Sequence, residues 1–198
     1  MTASPRSATV QRHTAETRIE VQLVLDGSGE ARVHTGLGFL DHMLTALTRH
    51  ARFDLVLTCE GDLEIDDHHT AEDCALALGQ ALREALGDRR GIRRFGHAYA
   101  PLDEALCRAV VDLSGRPWPA ISLGFRREGL GDMATENLVH FLQSLAMAGQ
   151  LNLHVDVLAG DNDHHRAEAA FKATALALRA AVARDGHDEV PSTKGVLA

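Results

Sequence analysis

The strongest restriction on the fold is an internal repetition. His68-His69-Thr-Ala-Glu72 recurs as His164-His165-Arg-Ala-Glu168, 96 positions later. Ahead of each copy, His140 follows His42 by 98 positions, Asn152-Leu follows Asp54-Leu by 98, and Asp112-Leu-Ser-Gly follows Asp26-Gly-Ser-Gly by 86. A chance likeness between two amphipathic helices would not also reproduce a turn and the preceding histidines. The change of offset reads as a local insertion of 12, because Gly29 to His42 spans 13 positions and Gly115 to His140 spans 25. A chain built twice from one unit carries every functional group of that unit in two equivalent sets.

Periodicity gives the unit its form. In RIEVQLVL (18–25) the apolar Ile19, Val21, Leu23 and Leu25 alternate with polar residues, which is the period of a half-buried strand. DGSG is turn chemistry, and EARVHTG (30–36) is the expected hairpin partner. Leu40, Met43, Leu44 and Leu47 fall at helical spacing, DLVLTCEGDLEI (54–65) is strand-like, and a longer helix runs from His68 to about Leu86 with Asp67 as N-cap and Gly87 as stop. The second half repeats this order through LCRAVVDL, WPAISLGF, ENLVHFLQSLAMA, QLNLHVDVL and a capped helix from His164. Each half is therefore expected to be a small antiparallel sheet covered by helices, an α+β arrangement.

Composition narrows the function. The 198 residues are 45% apolar and 24% charged, enough for a real core, and the net charge is -8. That acidity argues against binding a phosphate backbone, and 4% aromatic residues leave little for base stacking, so no nucleic-acid partner is expected. No stretch approaches 18 continuous apolar residues and the N-terminus lacks a secretory apolar run, which makes a cytoplasmic protein with no membrane partner the expectation. Cys59, Cys74 and Cys107 fit neither a disulfide framework nor a CxxC zinc site and read as buried thiols. Twelve histidines are the oddity.

The repeated HHxxE carries the chemistry. Positions i, i+3 and i+4 share a helix face, so Glu72 can lie beside His68 or His69, and Glu168 beside His164 or His165. Imidazole nitrogen with carboxylate oxygen on one face is a metal half-site. Adjacent residues point about 100° apart, so neighbouring histidines cannot readily serve one ion and should serve two. With His42 and His140 the inventory is six imidazoles and two carboxylates, which suits two ions drawn from Mn, Fe, Co or Zn; six-coordination favours manganese or iron. Asp41, Asp66, Asp67 and Asp163 are candidates to orient the ligand imidazoles. His13, His34, His97, His154 and His187 lack ligand spacing and read as surface residues. Arg93, Arg94, Arg116, Lys172 and the PSTKG segment (191–195) offer the cations and hydroxyls that a phosphate group demands, and Lys172 falls one helical turn after Glu168.

GLGFLDHML, EGDLEIDDHHTAED, HHRAEAAFKA and PSTKG, in that order and spacing, resemble the imidazoleglycerol-phosphate dehydratase family, from about Glu16 to Lys194. These motifs stand without a phosphatase domain beside them, so the monofunctional form is the expectation. The resemblance implies a duplicated fold like that of ribosomal protein S5 domain 2, one domain over 10–198 made of pseudo-repeats at about 10–95 and 96–190, with 1–9 as a flexible tail. It also implies a homo-oligomer of 24 subunits with two Mn2+ per active site at subunit contacts. The implied metal ligands are His42, His68, His69, Glu72, His140, His164, His165 and Glu168. Glu16, with Glu72 and Glu168, would be catalytic, and Glu16, His50, Arg94, Arg116, Lys172, Ser192 and Lys194 would meet the phosphorylated imidazole substrate. Some relatives carry Asp-Gln at Thr45-Ala46, so a side-chain contact from position 46 is not expected here. The implied reaction turns imidazole glycerol phosphate into imidazole acetol phosphate and water in histidine biosynthesis, through a metal-bound imidazolate and loss of the hydroxyl next to the ring. Two other classes share the histidine inventory. A metal-storage module leaves Arg94, Lys172 and Lys194 without a role, and a dinuclear phosphoesterase would release free phosphate.

Overall fold

The structure, a computed structural model, describes residues 5–197. Among these residues ten strands and four helices follow one another as β1 (Ser7–His13), β2 (Thr17–Val24), β3 (Ala31–His34), α1 (Gly38–Ala51), β4 (Asp54–Gly61), α2 (His68–Leu86), β5 (Phe95–Leu102), β6 (Ala105–Asp112), β7 (Trp118–Ser122), β8 (Gly129–Leu130), β9 (Met133–Ala134), α3 (Thr135–Gly149), β10 (Asn152–Ala159) and α4 (Asp163–Val182). One four-stranded sheet has the order β1-β2-β4-β3 and the other β5-β6-β10-β7. The two orders are the same path traced twice, as the repetition requires of an α+β duplicated fold.

Two pairings differ from the sequence reading. EARVHTG does not return beside β2. Its strand β3 pairs parallel with β4, at Ala31 opposite Leu55, and the antiparallel partner of β2 is β1, at Val10 opposite Val21. A helix intervenes between β3 and β4, and a strand-helix-strand path returns the chain parallel, so each sheet is mixed rather than antiparallel. The partner strand β1 starts at Ser7, inside the segment expected as a tail; residues 1–4 of that segment lie outside the described residues.

Strand register also refines the repeat. Arg52 and Gln150 end α1 and α3 in the same left-handed conformation, with φ of 61° and 51°, which makes Asp54 and Asn152 counterparts. Asp54 lies opposite Val24 and Asn152 opposite Asp112. Val24 therefore corresponds to Asp112, an offset of 88 rather than the 86 that the two turn sequences suggest. The insertion before α3 shrinks to 10 residues, and it contains the small β8–β9 hairpin.

The helices form a layer between the sheets, and the halves are joined through it. The first sheet packs on α2 and the second on α4, while α2 crosses α3 and α1 crosses α4. The alternating residues Ile19, Val21 and Leu23 of β2, and Cys107, Ala109 and Val111 of β6, are buried under them. Phe141 and Phe171, both fully buried, meet with ring centroids 5.7 Å apart. The α2–α3 crossing depends on Gly79, where a Cβ would lie 2.7 Å from the Leu145 carbonyl oxygen and 2.8 Å from Ala148 Cβ. Among the described residues no helix is long and apolar enough to cross a membrane.

The turn before β3 is held by one carboxylate. Asp54 Oδ1 accepts from the backbone N–H groups of Ser28, Gly29 and Glu30 at 2.8–3.0 Å. Burial alone would raise the Asp54 carboxyl, but these donors, that of Glu30 foremost, hold it below its ordinary value. A lowered folded value stabilises the fold above the unfolded carboxyl's range and is lost as pH falls through the folded value. Asp54→Ala should therefore lower Tm at pH 7 and narrow the gap to wild type as the pH is taken well below 4, read by thermal denaturation across pH. Gly79→Ala should cost about 1–3 kcal/mol by overpacking, against its gain in helix propensity, as measured by urea denaturation.

Candidate metal centre

Helix geometry and the crossing of the halves build two clusters. On α4, the Asn162 side chain caps the helix by accepting from His164 N–H, and one turn later Glu168 faces back. His164 Nε2 lies 3.3 Å from Glu168 Oε2, and α1 brings His42 Nε2 to the same oxygen at 3.3 Å. Phe39 stands edge-on to the His164 ring at 5.3 Å and limits its rotation. The counterpart is made by α2 and α3. His68 Nε2 lies 3.9 Å from Glu72 Oε2, and His140 Nε2 lies 3.0 Å from Glu72 Oε1, with the two imidazoles stacked at 4.9 Å. In each cluster the three donor atoms are within 4.8 Å of one another.

The spacing left open which histidine joins each glutamate, and the structure selects the i,i+4 partners His68 and His164. Their neighbours turn away, the ring of His69 at 73° to His68 and that of His165 at 90° to His164. Both outward rings are pinned through Nδ1. His69 Nδ1 donates to Asp62 at 3.0 Å, and His165 Nδ1 donates to Glu104 at 2.8 Å. A carboxylate can only accept, so a proton sits on Nδ1, and in the neutral ring Nε2 is the nitrogen left with a lone pair to offer an ion. His68 is fixed in the same sense, its Nδ1 donating to Asn137 Oδ1 at 3.0 Å. Such outer hydrogen bonds are how metal-ligating imidazoles are oriented, and a set of Nε2 atoms with one carboxylate fits a nitrogen and oxygen metal shell.

These contacts shape the local charges. The hydrogen bond to Asp62 raises the His69 imidazolium above its ordinary value, and that to Glu104 does the same for His165. The Asn162 backbone N–H first, and then His165, hold the Glu104 carboxyl down at about 2. Glu168 would be raised by burial, but Lys172, with Nζ at 2.6 Å, and His42 bring it below the ordinary carboxylate value. His50 is lowered by burial and by the charge of Lys172.

The four aspartates expected to orient the imidazoles do other work. Asp41 accepts from Thr35 N–H and Oγ1–H, Asp66 from His68 N–H, Asp67 from Ala134 N–H, and Asp163 from the N–H groups of Arg126 and Arg127. Asp67 occupies the N-cap position of α2 without a side-chain cap bond, because its carboxylate ties the end of β9, just before α3, to the first half. The orienting groups are Asp62, Glu104 and Asn137, which the sequence reading missed. Asn137 stands three residues before His140 on one helix, a signal within reach of spacing; Asp62 and Glu104 are brought to their rings only by loops.

The remaining candidates fall in separate places. Glu16 lies in the β1–β2 turn with Oε1 3.6 Å from His69 Nε2. Lys172 and His50 border the His42 cluster. Arg94, Arg116, Ser192 and Lys194 line a cavity of about 350 Å³ that shares no lining residue with either cluster. Arg94 is held there by two bonds to Asp112, at 2.7 and 3.1 Å, and one to the Pro191 carbonyl at 2.9 Å, and its φ of 68° is a left-handed backbone. His13, His34, His97, His154 and His187 are exposed. All three cysteines are free and buried.

The family model described as imidazoleglycerol-phosphate dehydratase matches residues 35–178. The chain is 56% identical to the imidazoleglycerol-phosphate dehydratase of Candida glabrata, over 96% of this chain and all of that one. Among solved structures it is similar to the Staphylococcus aureus enzyme of that name, with a TM-score of 0.78 and 35% identity over 89% of this chain and 99% of that one. It is similar also to the Pyrococcus furiosus enzyme in complex with (S)-C348, with a TM-score of 0.83 and 37% identity over 95% of this chain and all of that one. The duplicated topology, the paired histidine-glutamate clusters and these full-length matches agree, and the chain belongs to the imidazoleglycerol-phosphate dehydratase family, hydro-lyases of histidine biosynthesis.

Proposed function

We propose that this chain converts imidazole glycerol phosphate to imidazole acetol phosphate and water by a metal-dependent imidazolate mechanism, with two Mn2+ per active site. Its working form is a homo-oligomer, in our reading of 24 subunits in the cytoplasm, each subunit one domain over 10–198 built from pseudo-repeats at about 10–95 and 96–190.

The observation that carries the reading is the division of the six imidazoles. Each cluster holds two Nε2 atoms and one carboxylate, while His69 and His165 are locked with Nε2 facing away from their own clusters. A ligand pinned outward is useful to an ion completed by another chain. Assembly would thus bring His69 and His165 to the clusters of neighbouring subunits, and Glu16, beside His69, would enter the same composite site. Manganese, when bound, supplies Lewis acidity at the substrate's ring nitrogens and lowers the cost of ring deprotonation; the absence of thiolate donors suits manganese or iron better than a closed zinc site.

The chain's own groups then bind and move protons. Arg94, Arg116, Ser192 and Lys194 offer forked and point-charge donors to the phosphate, in the cavity they already share. Lys172 and His50 border the ring-binding end, and Glu72 and Glu168 complete the two clusters. The hydroxyl on the carbon next to the ring departs and takes up a proton to become water. Glu16, exposed and unlocked, takes the proton from the next carbon, and the enol so formed regains a proton at the ring-adjacent carbon to give the ketone.

Glu16→Gln should keep manganese and substrate binding while kcat falls by about 10²–10⁴-fold, measured by ketone formation from imidazole glycerol phosphate. Unchanged kcat would remove Glu16 from the reaction, and free phosphate in place of ketone would overturn the dehydratase chemistry. His69→Ala and His165→Ala should each lower both manganese content and assembly size, read by elemental analysis and light scattering. A fully metallated assembly of wild-type size from either variant would contradict the sharing of sites between subunits.

A further inference from the structure

We infer that the two halves hold their outward histidines with different carboxylates, and that Asp62, by holding His69, leaves Glu16 free to move a proton. Asp62 is then a positioning residue, and Glu104, though it occupies the place of Glu16, is an orienting group and not a second acid/base. The inference rests on the role given to Glu16 above.

The register that aligns the halves at an offset of 88 makes Glu16 and Glu104 counterparts, each the residue just before the second strand of its hairpin. Two equivalent glutamates are thus presented to two equivalent histidines, yet their contacts differ. Glu104 is fully engaged. Its Oε2 accepts from His165 Nδ1 at 2.8 Å, and its Oε1 accepts from the backbone N–H groups of Asp161 and Asn162 at 3.1 and 2.8 Å. A carboxylate held by three donors is not available to swing toward a substrate.

In the first half the same task falls to Asp62, which follows β4. Its two carboxylate oxygens lie 3.0 and 3.2 Å from His69 Nδ1, and its N–H donates to the Glu16 carbonyl at 3.1 Å. One residue thus orients the metal-type imidazole and fixes the backbone that carries the acid/base. The hairpin is secured a second time from below. Buried Asp73 on α2 accepts from Thr17 Oγ1–H at 2.5 Å and pairs with Arg12 at 2.8 Å. With its backbone held at both places, the Glu16 side chain accepts no hydrogen bond among the described residues and sits on the Nε2 side of His69 at 3.6 Å, half exposed. Glu104 shows what a glutamate at this turn does when no Asp62 intervenes: it accepts the hydrogen bond from the histidine's Nδ1–H.

The test compares Asp62→Asn, Asp62→Ser and Glu104→Gln as assembled enzymes, with Asp62→Glu as the conservative variant and Glu16→Gln in parallel. Manganese affinity by titration, kcat and KM at saturating manganese, and crystal structures are measured. Both Asp62→Asn and Glu104→Gln should weaken manganese binding by about 10–100-fold, the usual cost of losing an orienting partner. Added manganese should bring Glu104→Gln to less than about a tenfold deficit in kcat. Asp62→Asn and Asp62→Ser should stay about 100-fold down in kcat with KM little changed, because Glu16 has turned to His69 Nδ1, where their crystals should show it. Asp62→Glu should recover most of that loss. Equal kcat for the Asp62 and Glu104 variants at saturating manganese, or a Glu16 that has not moved in either Asp62 variant, would overturn the inference while leaving Glu16 catalytic. Full turnover by Glu16→Gln would instead overturn the assignment on which it rests.

Discussion

Everything at the candidate site depends on helices from opposite halves packing against one another. Neither half alone contains a cluster, because His42 comes from α1 and its partners from α4, and His140 comes from α3 and its partners from α2. The crossing must be close for imidazole and carboxylate of opposite helices to reach within 3.0–3.3 Å. Gly79 supplies that closeness at the α2–α3 contact, and the largest fully buried rings, Phe141 and Phe171, fix α3 against α4 at the centre of the helix layer. Core packing and site geometry are therefore one constraint. A change that spreads the helices to relieve the core also opens a donor set.

Duplication explains why the clusters come in pairs, and divergence explains why the pairs are not identical. Both outward histidines keep the same tautomer, since Nδ1 faces a carboxylate in each half. The carboxylate is a residue of the β5–β6 turn in the second half and of the loop after β4 in the first. Asp54 and Asn152 diverge in the same way. As counterparts they stand at the starts of equivalent strands, but Asp54 accepts from three backbone donors whereas the Asn152 side chain donates to the Arg116 carbonyl at 2.6 Å. An amide can donate where a carboxylate cannot, and this donation fixes the backbone of Arg116, one of the residues lining the cavity with Arg94, Ser192 and Lys194.

The donor inventory was legible in the sequence, and its wiring was not. HHxxE at helical spacing, with His42 and His140 in matching places, marks the clusters because i,i+4 geometry is local. The i,i+4 preference over i,i+3, which assigns His68 and His164 inward, is decided by how α2 and α4 are rotated against α3 and α1, and no local pattern reports that rotation. The parallel return of β3 was obscured by DGSG, which promises a hairpin whether or not β1 already occupies the neighbouring position. The same turn misplaced the repeat by two residues, since Asp-Gly-Ser-Gly and Asp-Leu-Ser-Gly match in turn chemistry while the ladder beside them is set by the buried alternation of β2 and β6. Asp62 and Glu104 escaped notice because charged residues in loops are ordinarily solvated, and only the fold brings them against a ring nitrogen.

The cysteines complete the argument about which ions the chain is built to hold. Cys74 lies two positions beyond Glu72 but on the opposite, buried side of α2, facing β4, where Cys59 is its neighbour. Hydrogen bonding to Cys59 and burial push the Cys74 thiol well up, and burial pushes Cys107 to about 12. Cys59 is lowered by its hydrogen bond with Cys74, but all three sulfurs are buried in the core and none reaches an ion at the surface of the helix layer. Among the described residues the donors at the two clusters are imidazole nitrogen and carboxylate oxygen, not the soft, thiolate-rich set that favours a closed structural zinc site. Sulfur serves packing while imidazole nitrogen stays accessible, and the rotation of about 200° between Glu72 and Cys74 on a single helix keeps the two apart.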